Sequence, residues 1–186
     1  MILAAVAALG LAAASPPSQA YVGHLCAPVA LSEPGAEALR SRLSVFAARP
    51  RPDAEADAER PTDADAPGQL FRLPGPTAPS VFIDRRRGAC SLVFGGATVP
   101  ASVSEEFATE TLPVGDKDAL VPWRRIRPPR SGRPGPRRYF LKVGDGAGFG
   151  VCSAVREDLR LPDGRPVTLV TVTTCRLQPD EATDNG

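Results

Sequence analysis

Four cysteines, one histidine, a cluster of seven arginines and a scatter of carboxylates are the residues of this 186-residue chain with chemistry to offer. Cys26, Cys90, Cys152 and Cys175 lie far apart, the closest two being 23 positions from one another. Redox motifs and zinc sites use short Cys-x-x-Cys spacings, which these are not. An even number of widely spaced cysteines reads instead as a disulfide framework and points to an oxidising compartment. Oxidised sulfur is no thiolate, so a cysteine nucleophile is not expected.

His24 is the only histidine. A Ser-His-Asp site would need it as the base, yet no serine stands in a Gly-x-Ser-x-Gly turn. It reads as an ordinary surface side chain. The run Gly144-Asp-Gly-Ala-Gly-Phe-Gly150 resembles a phosphate loop only in glycine content. Phe149 breaks the Gly-x-Gly-x-x-Gly pattern, and the flanking segments read as strands where a dinucleotide loop must open a helix. The alternating carboxylates from Asp53 to Asp65 lack the central Gly and closing Glu of an EF-hand loop. Glu105, Glu106, Asp116, Asp118, Glu157 and Asp158 can meet only through the fold, so spacing gives them no joint role. No catalytic, cofactor-binding or metal-binding residue is assigned, and no cofactor is expected.

Arg124, Arg125, Arg127, Arg130, Arg133, Arg137 and Arg138 fall in one Pro- and Gly-rich stretch without an acidic residue. Guanidinium groups grip phosphates and carboxylates, which makes this stretch a candidate anion-binding loop for an anionic envelope component. The competing reading is a solvated basic loop neutralised by the acidic segment of the same chain. The net charge of +1 gives no reason to expect nucleic acid as a partner.

These residues must be carried by a modest core, since aromatics make up only 5% of the chain and 21 residues are proline. Glu33 to Ala48 predicts a helix capped by Ser32, with Ala36, Leu39, Leu43, Phe46 and Ala47 as its apolar stripe. Arg49 to Pro79 reads as an acidic linker without hydrophobic period. Ser80 to Asp84 and Ala89 to Phe94, around Arg85-Arg-Arg-Gly88, predict a β-hairpin. Ser102-Val-Ser-Glu105 has the form of a capping box that opens a short helix to Thr111. Trp123 to Arg138 reads as a second low-complexity loop, and residues 178–186 as a disordered tail.

Strands are expected at Arg138 to Val143, Phe149 to Leu161 and Pro166 to Leu177, the last two joined by the turn Pro162-Asp-Gly-Arg165. Asp-Gly is a strong signal for a two-residue hairpin loop. With Asp163-Gly164 as that loop, Cys152 faces Cys175 and Val155 faces Val172. Val151, Val155, Leu159, Leu161, Val170 and Val172 then share one apolar face. This register favours a Cys152–Cys175 disulfide and leaves Cys26–Cys90 to tie the first helix to the first hairpin.

Met1 to Ala14 is an uncharged apolar run followed by Ser15-Pro16-Pro17-Ser18-Gln19-Ala20. Its length suits a signal peptide and falls short of a membrane-spanning helix, so residues 1–20 are expected to be cleaved after Ala20 and to leave no membrane span. The expected fold is α+β: a disulfide-stapled antiparallel sheet of about five strands, with one or two helices on one face, in a single domain over 21–177. The expected function is that of an exported, periplasmic or extracellular, non-enzymatic domain that binds an envelope or extracellular partner. The alternative is a small secreted hydrolase whose carboxylates assemble only in the fold.

Overall fold

The computed structural model describes the backbone of residues 20–31, 36–66, 68–96, 111–113, 120–126, 137–142 and 149–176, and side-chain surroundings for 21–30, 39–66, 68–96 and 151–174. These residues form an α+β fold around an antiparallel sheet. The strands are β1 (Arg49–Pro50), β2 (Gln69–Arg72), β3 (Ser80–Asp84), β4 (Ala89–Gly95), β5 (Thr111–Pro113), β6 (Leu120–Ile126), β7 (Arg137–Lys142), β8 (Phe149–Arg160) and β9 (Pro166–Arg176). Their order is β1-β2-β3-β4-β9-β8-β7-β6-β5. A π-helical stretch, Ala20–Cys26, runs into α1 (Ala27–Leu31), and α2 (Ala36–Val45) and α3 (Asp53–Glu59) follow.

The described residues thus hold nine strands where five were expected. The surplus strands are β1, β2 and β6, which draw on segments read as loops, and β5, which lies outside them; β7 is the strand expected from Arg138. The acidic stretch 49–79 contains β1, α3 and β2, and the ends of the arginine-rich stretch 123–138 are β6 and β7. In the latter, Arg125 pairs with Tyr139 and Ile126 with Arg138. The expected helix from Ser102 lies outside the described residues, as do the first 19 residues and the tail beyond Arg176.

Apolar side chains on both faces of the sheet are buried, which corrects the expectation of one covered face. Val81, Ile83, Cys90, Leu92, Val170 and Val172 pack with Tyr21, Val22, Leu25, Leu39, Leu43 and Phe46. The opposite face packs Leu70, Phe82, Val93, Leu159, Val167 and Leu169 with Ala56 of α3 and Ala66. Alternation along a strand sends neighbouring residues to opposite faces. Here both destinations are apolar, which is why β3 reads Val-Phe-Ile without a polar partner position. The segment that follows α3 is fastened to β8: the Thr62 N–H donates to the Arg160 carbonyl over 2.9 Å, and an Arg156 guanidinium N–H to the Asp63 carbonyl over 3.0 Å.

Cys26 and Cys90 form a disulfide with their Cα atoms 5.2 Å apart, joining the helical N-terminal stretch to β4 in the core. Pro28 has no N–H to return to His24, and its ring presses on that carbonyl in an α-helix; the wider π-helical turns immediately before α1 relieve this conflict. Helix α2 is shorter than its predicted range, but Leu39 and Leu43 are buried as its stripe requires, and Phe46 is buried just past its end. Ala47 takes a left-handed φ of 50°. Its N–H donates to the Ser44 carbonyl and that of Ala48 to Leu43, the two bonds of a Schellman ending.

The β8–β9 hairpin departs from the expected register. Leu161 and Arg165 close a three-residue loop, with the Gly164 N–H on the Leu161 carbonyl and Gly164 at φ 85°. This is a type I turn followed by a left-handed residue, not a two-residue loop. A bulge between Arg156 and Leu159 then shifts the pairing again, so Val155 faces Val170 and Cys152 faces Thr173. The bulge also changes parity. Val151 and Val155 point to the face under Tyr21 and Leu25, while Leu159 and Leu161 join Phe82 on the other. The single apolar face expected of this hairpin is therefore split between two cores.

Candidate functional site

Two of the four carboxylates of α3, Glu55 and Glu59, are used in pairs. Glu59 accepts a hydrogen bond from the Ser80 hydroxyl and pairs with the Arg72 guanidinium. Glu55 faces Arg51 at 3.7 Å. Asp65 lies 2.6 Å from Arg87, which also approaches Asp84 at 3.6 Å. Asp84 Oδ1 in turn accepts the backbone N–H groups of Arg86 and Arg87 and shapes the β3–β4 turn. Arg165 closes on Asp163 at 2.6 Å, and Arg60 lies over the Phe82 ring at 5.7 Å.

A cavity of about 410 Å³ opens beside Glu59, Arg72, Ser80, Leu161 and Arg165. Its polar groups are already committed: Glu59 to Arg72 and Ser80, and Arg165 to Asp163 outside the lining. The Ser80–Glu59 pair has no base of the histidine type beside it, since His24 sits in the helical stretch over the other face of the sheet. Glu157 and Asp158 occupy the β8 bulge, where Asp158 approaches Arg156 at 3.6 Å. Glu105, Glu106, Asp116 and Asp118 lie outside the described residues. Among the described residues no group of three or more His, Cys, Asp and Glu is placed to hold a metal ion, and no helix is long and apolar enough to cross a membrane.

A second cavity, of about 570 Å³, lies at the β1 edge of the sheet between the end of α2, β2 and the β3–β4 turn. Arg40, Arg49 and Arg85 line it, with Leu43, Ala48 and Phe71 among its apolar residues and no carboxylate among the described residues. Three separate elements supply the arginines. Arg40 comes from the exposed side of α2, three residues before buried Leu43. Arg49 is the first residue of β1 and follows the Schellman ending of α2, and Arg85 opens the turn after β3. All three are exposed.

Several of the other described arginines are already engaged. Arg51, Arg72, Arg87, Arg156 and Arg165 each have a carboxylate within ion-pair distance, and Arg160 donates to the Gly164 carbonyl. Arg40, Arg49 and Arg85 have no such partner among the described residues. Guanidinium groups converging without counter-charge, beside apolar surface, raise the local concentration of anions and offer forked donors to carboxylate or phosphate oxygens.

The arginines singled out in sequence fall elsewhere. Arg124 and Arg125 are on β6 and Arg137 and Arg138 on β7; Arg127, Arg130 and Arg133 lie outside the described residues. Sequence reasoning missed the edge cavity because its arginines are 45 positions apart from first to last and each sits in an unremarkable local context. The only local hint was the Arg85-Arg86-Arg87 run. Of the four cysteines, Cys26 and Cys90 are joined, Cys152 is also disulfide-bonded, and Cys175 is placed on β9 opposite Gly150.

The chain matches no protein-family model, no curated protein and no solved structure. Its class is therefore set by its own architecture: an antiparallel α+β domain with apolar cores on both sheet faces and a disulfide through one of them.

Proposed function

We propose that this chain is an exported, non-enzymatic domain that binds an anionic partner in the envelope or outside the cell. The observation that carries the binding is the edge cavity, which Arg40, Arg49 and Arg85 line with no carboxylate among the described residues. Export is supported by the apolar run Met1 to Ala14 and by the buried Cys26–Cys90 disulfide, which persists in an oxidising compartment. Arg124 to Arg138 stays a second candidate contact for the same kind of partner.

Two measurements test the reading separately. Fractionation of cells making the full chain is expected to place it outside the cytoplasm, shorter by about the first 20 residues; a full-length cytoplasmic product refutes export. On a sulfonated matrix, the triple variant Arg40→Gln/Arg49→Gln/Arg85→Gln is expected to elute at clearly lower salt than the parent. It should also fall below a variant with three other exposed arginines neutralised. Equal elution removes the binding role of the cavity.

A further inference from the structure

We infer that the edge cavity takes a small amphiphilic anion: a carboxylate or phosphate head joined to an apolar body. The inference deepens the proposed binding role and rests on it. The head is set by the arginines. Arg40, Arg49 and Arg85 reach the same space from α2, β1 and the β3–β4 turn, so one anionic group can meet donors from several directions. Guanidinium forks match the planar oxygens of a carboxylate and the spread oxygens of a phosphate alike.

The apolar body is set by the walls. Ala47, Ala48 and Pro50 present accessible apolar surface, laid over Leu43 of α2 and Phe71 of β2, which are themselves buried in the core. A purely inorganic anion leaves these walls wet, whereas an aliphatic or aromatic body covers them. The groove is open to solvent, with a volume of about 570 Å³, so it covers one side of a small ligand.

A peptide strand is the less suitable occupant. The sheet edge here is β1, which pairs only Arg49 and Pro50 with β2. Pro50 lacks the N–H that strand addition needs, and edges so short and proline-bearing resist pairing. The site is then an open groove for a compact ligand beside a blunted edge.

The test is calorimetric titration of the purified, oxidised full chain with dodecanoate, dodecyl phosphate, dodecyl maltoside and inorganic phosphate, each kept below its micelle concentration. The expected result is one saturable site for at least one of the two charged amphiphiles, with the maltoside and inorganic phosphate weaker by about tenfold or more. Comparing dodecanoate with dodecyl phosphate tells a carboxylate head from a phosphate one. The triple arginine-to-glutamine variant should lose about tenfold or more, and Arg86→Gln, in the same turn but outside the lining, should not change. Ser44→Glu, which adds a carboxylate to the exposed wall from helix α2, should block binding even if the triple variant fails to fold.

Equal binding of maltoside, or full binding by the Ser44→Glu variant, overturns the inference. So does inorganic phosphate binding as tightly as dodecyl phosphate. If the parent still depends on these arginines for retention on the sulfonated matrix but ignores both charged amphiphiles, the ligand class is wrong and the binding role stands. If both responses are missing, both readings fall.

Discussion

Cys152 stands opposite Thr173, while Cys175 stands opposite Gly150. The two cysteines thus stand on adjacent strands, two residues out of direct register. Twist brings one diagonal of an antiparallel pair closer than the other. Cys152 is disulfide-bonded and Cys26 is joined to Cys90, which leaves the pairing expected from sequence, Cys152–Cys175, to be tested. Peptide mapping of the unreduced chain should return Cys26–Cys90 and Cys152–Cys175; any peptide linking Cys90 to a C-terminal cysteine contradicts the framework. Replacing Cys26 and Cys90 together by Ser should cost about 4 kcal/mol in urea unfolding, because the crosslink closes a long loop.

The ending of α2 gives a prediction of the opposite sign. Ala47 holds a φ of 50°, a conformation that costs an L-residue roughly 1 kcal/mol and glycine almost nothing. Ala47 is exposed, so little packing is lost on removing its methyl group. Ala47→Gly should stabilise the fold by about 0.5–1 kcal/mol. Ser44→Gly, in the helical last turn, should instead destabilise by about 0.5–1 kcal/mol. Paired urea curves decide; an Ala47→Gly variant no more stable than the parent rules out the Schellman geometry.

How far the sequence revealed this fold depends on how many residues spoke for each element. The β3–β4 and β8–β9 hairpins each carry a long apolar run with a glycine turn, and both were predicted almost to their ends. Helix α3 presents only one buried residue, Ala56, in Asp-Ala-Glu-Ala-Asp-Ala-Glu. Its support comes from partners far away in sequence, Arg72 and Ser80 for Glu59, which no local window contains. Strand β2 is four residues long, and its buried pair Leu70 and Phe71 faces two different cores. That pattern does not alternate. The edge cavity was invisible for the same reason: only the fold brings Arg40, Arg49 and Arg85 together.

Acid should weaken the β8–β9 turn through Asp163. Its carboxyl is held below the usual range first by the Arg165 backbone N–H and then by the Arg165 guanidinium. A depressed carboxyl in the folded chain stabilises it above the ordinary Asp range near 3.8. That contribution is lost as pH falls through the lower, folded value. Asp163→Asn should therefore be less stable than the parent at pH 7, and the gap should close as pH drops below the ordinary Asp range. Urea midpoints measured across that window check the sign; a gap that widens on acidification contradicts it.

Glu59 and Glu55 lie one helical turn apart on α3 and should nevertheless respond very differently to mutation. The Arg51–Glu55 pair is 44% exposed on both sides, where water and salt screen the attraction, so Arg51→Ala should cost no more than about 0.5 kcal/mol. Glu59 is only 13% exposed and holds Arg72. It also takes the hydrogen bond of Ser80, whose side chain is buried. Glu59→Ala removes both contacts and strands a buried hydroxyl, for about 2–3 kcal/mol. Glu59→Gln keeps an acceptor for Ser80 but loses the charge, and should cost about 1 kcal/mol. If the hydroxyl is the costly part, adding Ser80→Ala to Glu59→Ala should recover about 1 kcal/mol, which a double-mutant cycle resolves. Strict additivity of the two changes would mean that Glu59 acts through Arg72 alone, and that α3 is fixed to β2 without help from β3.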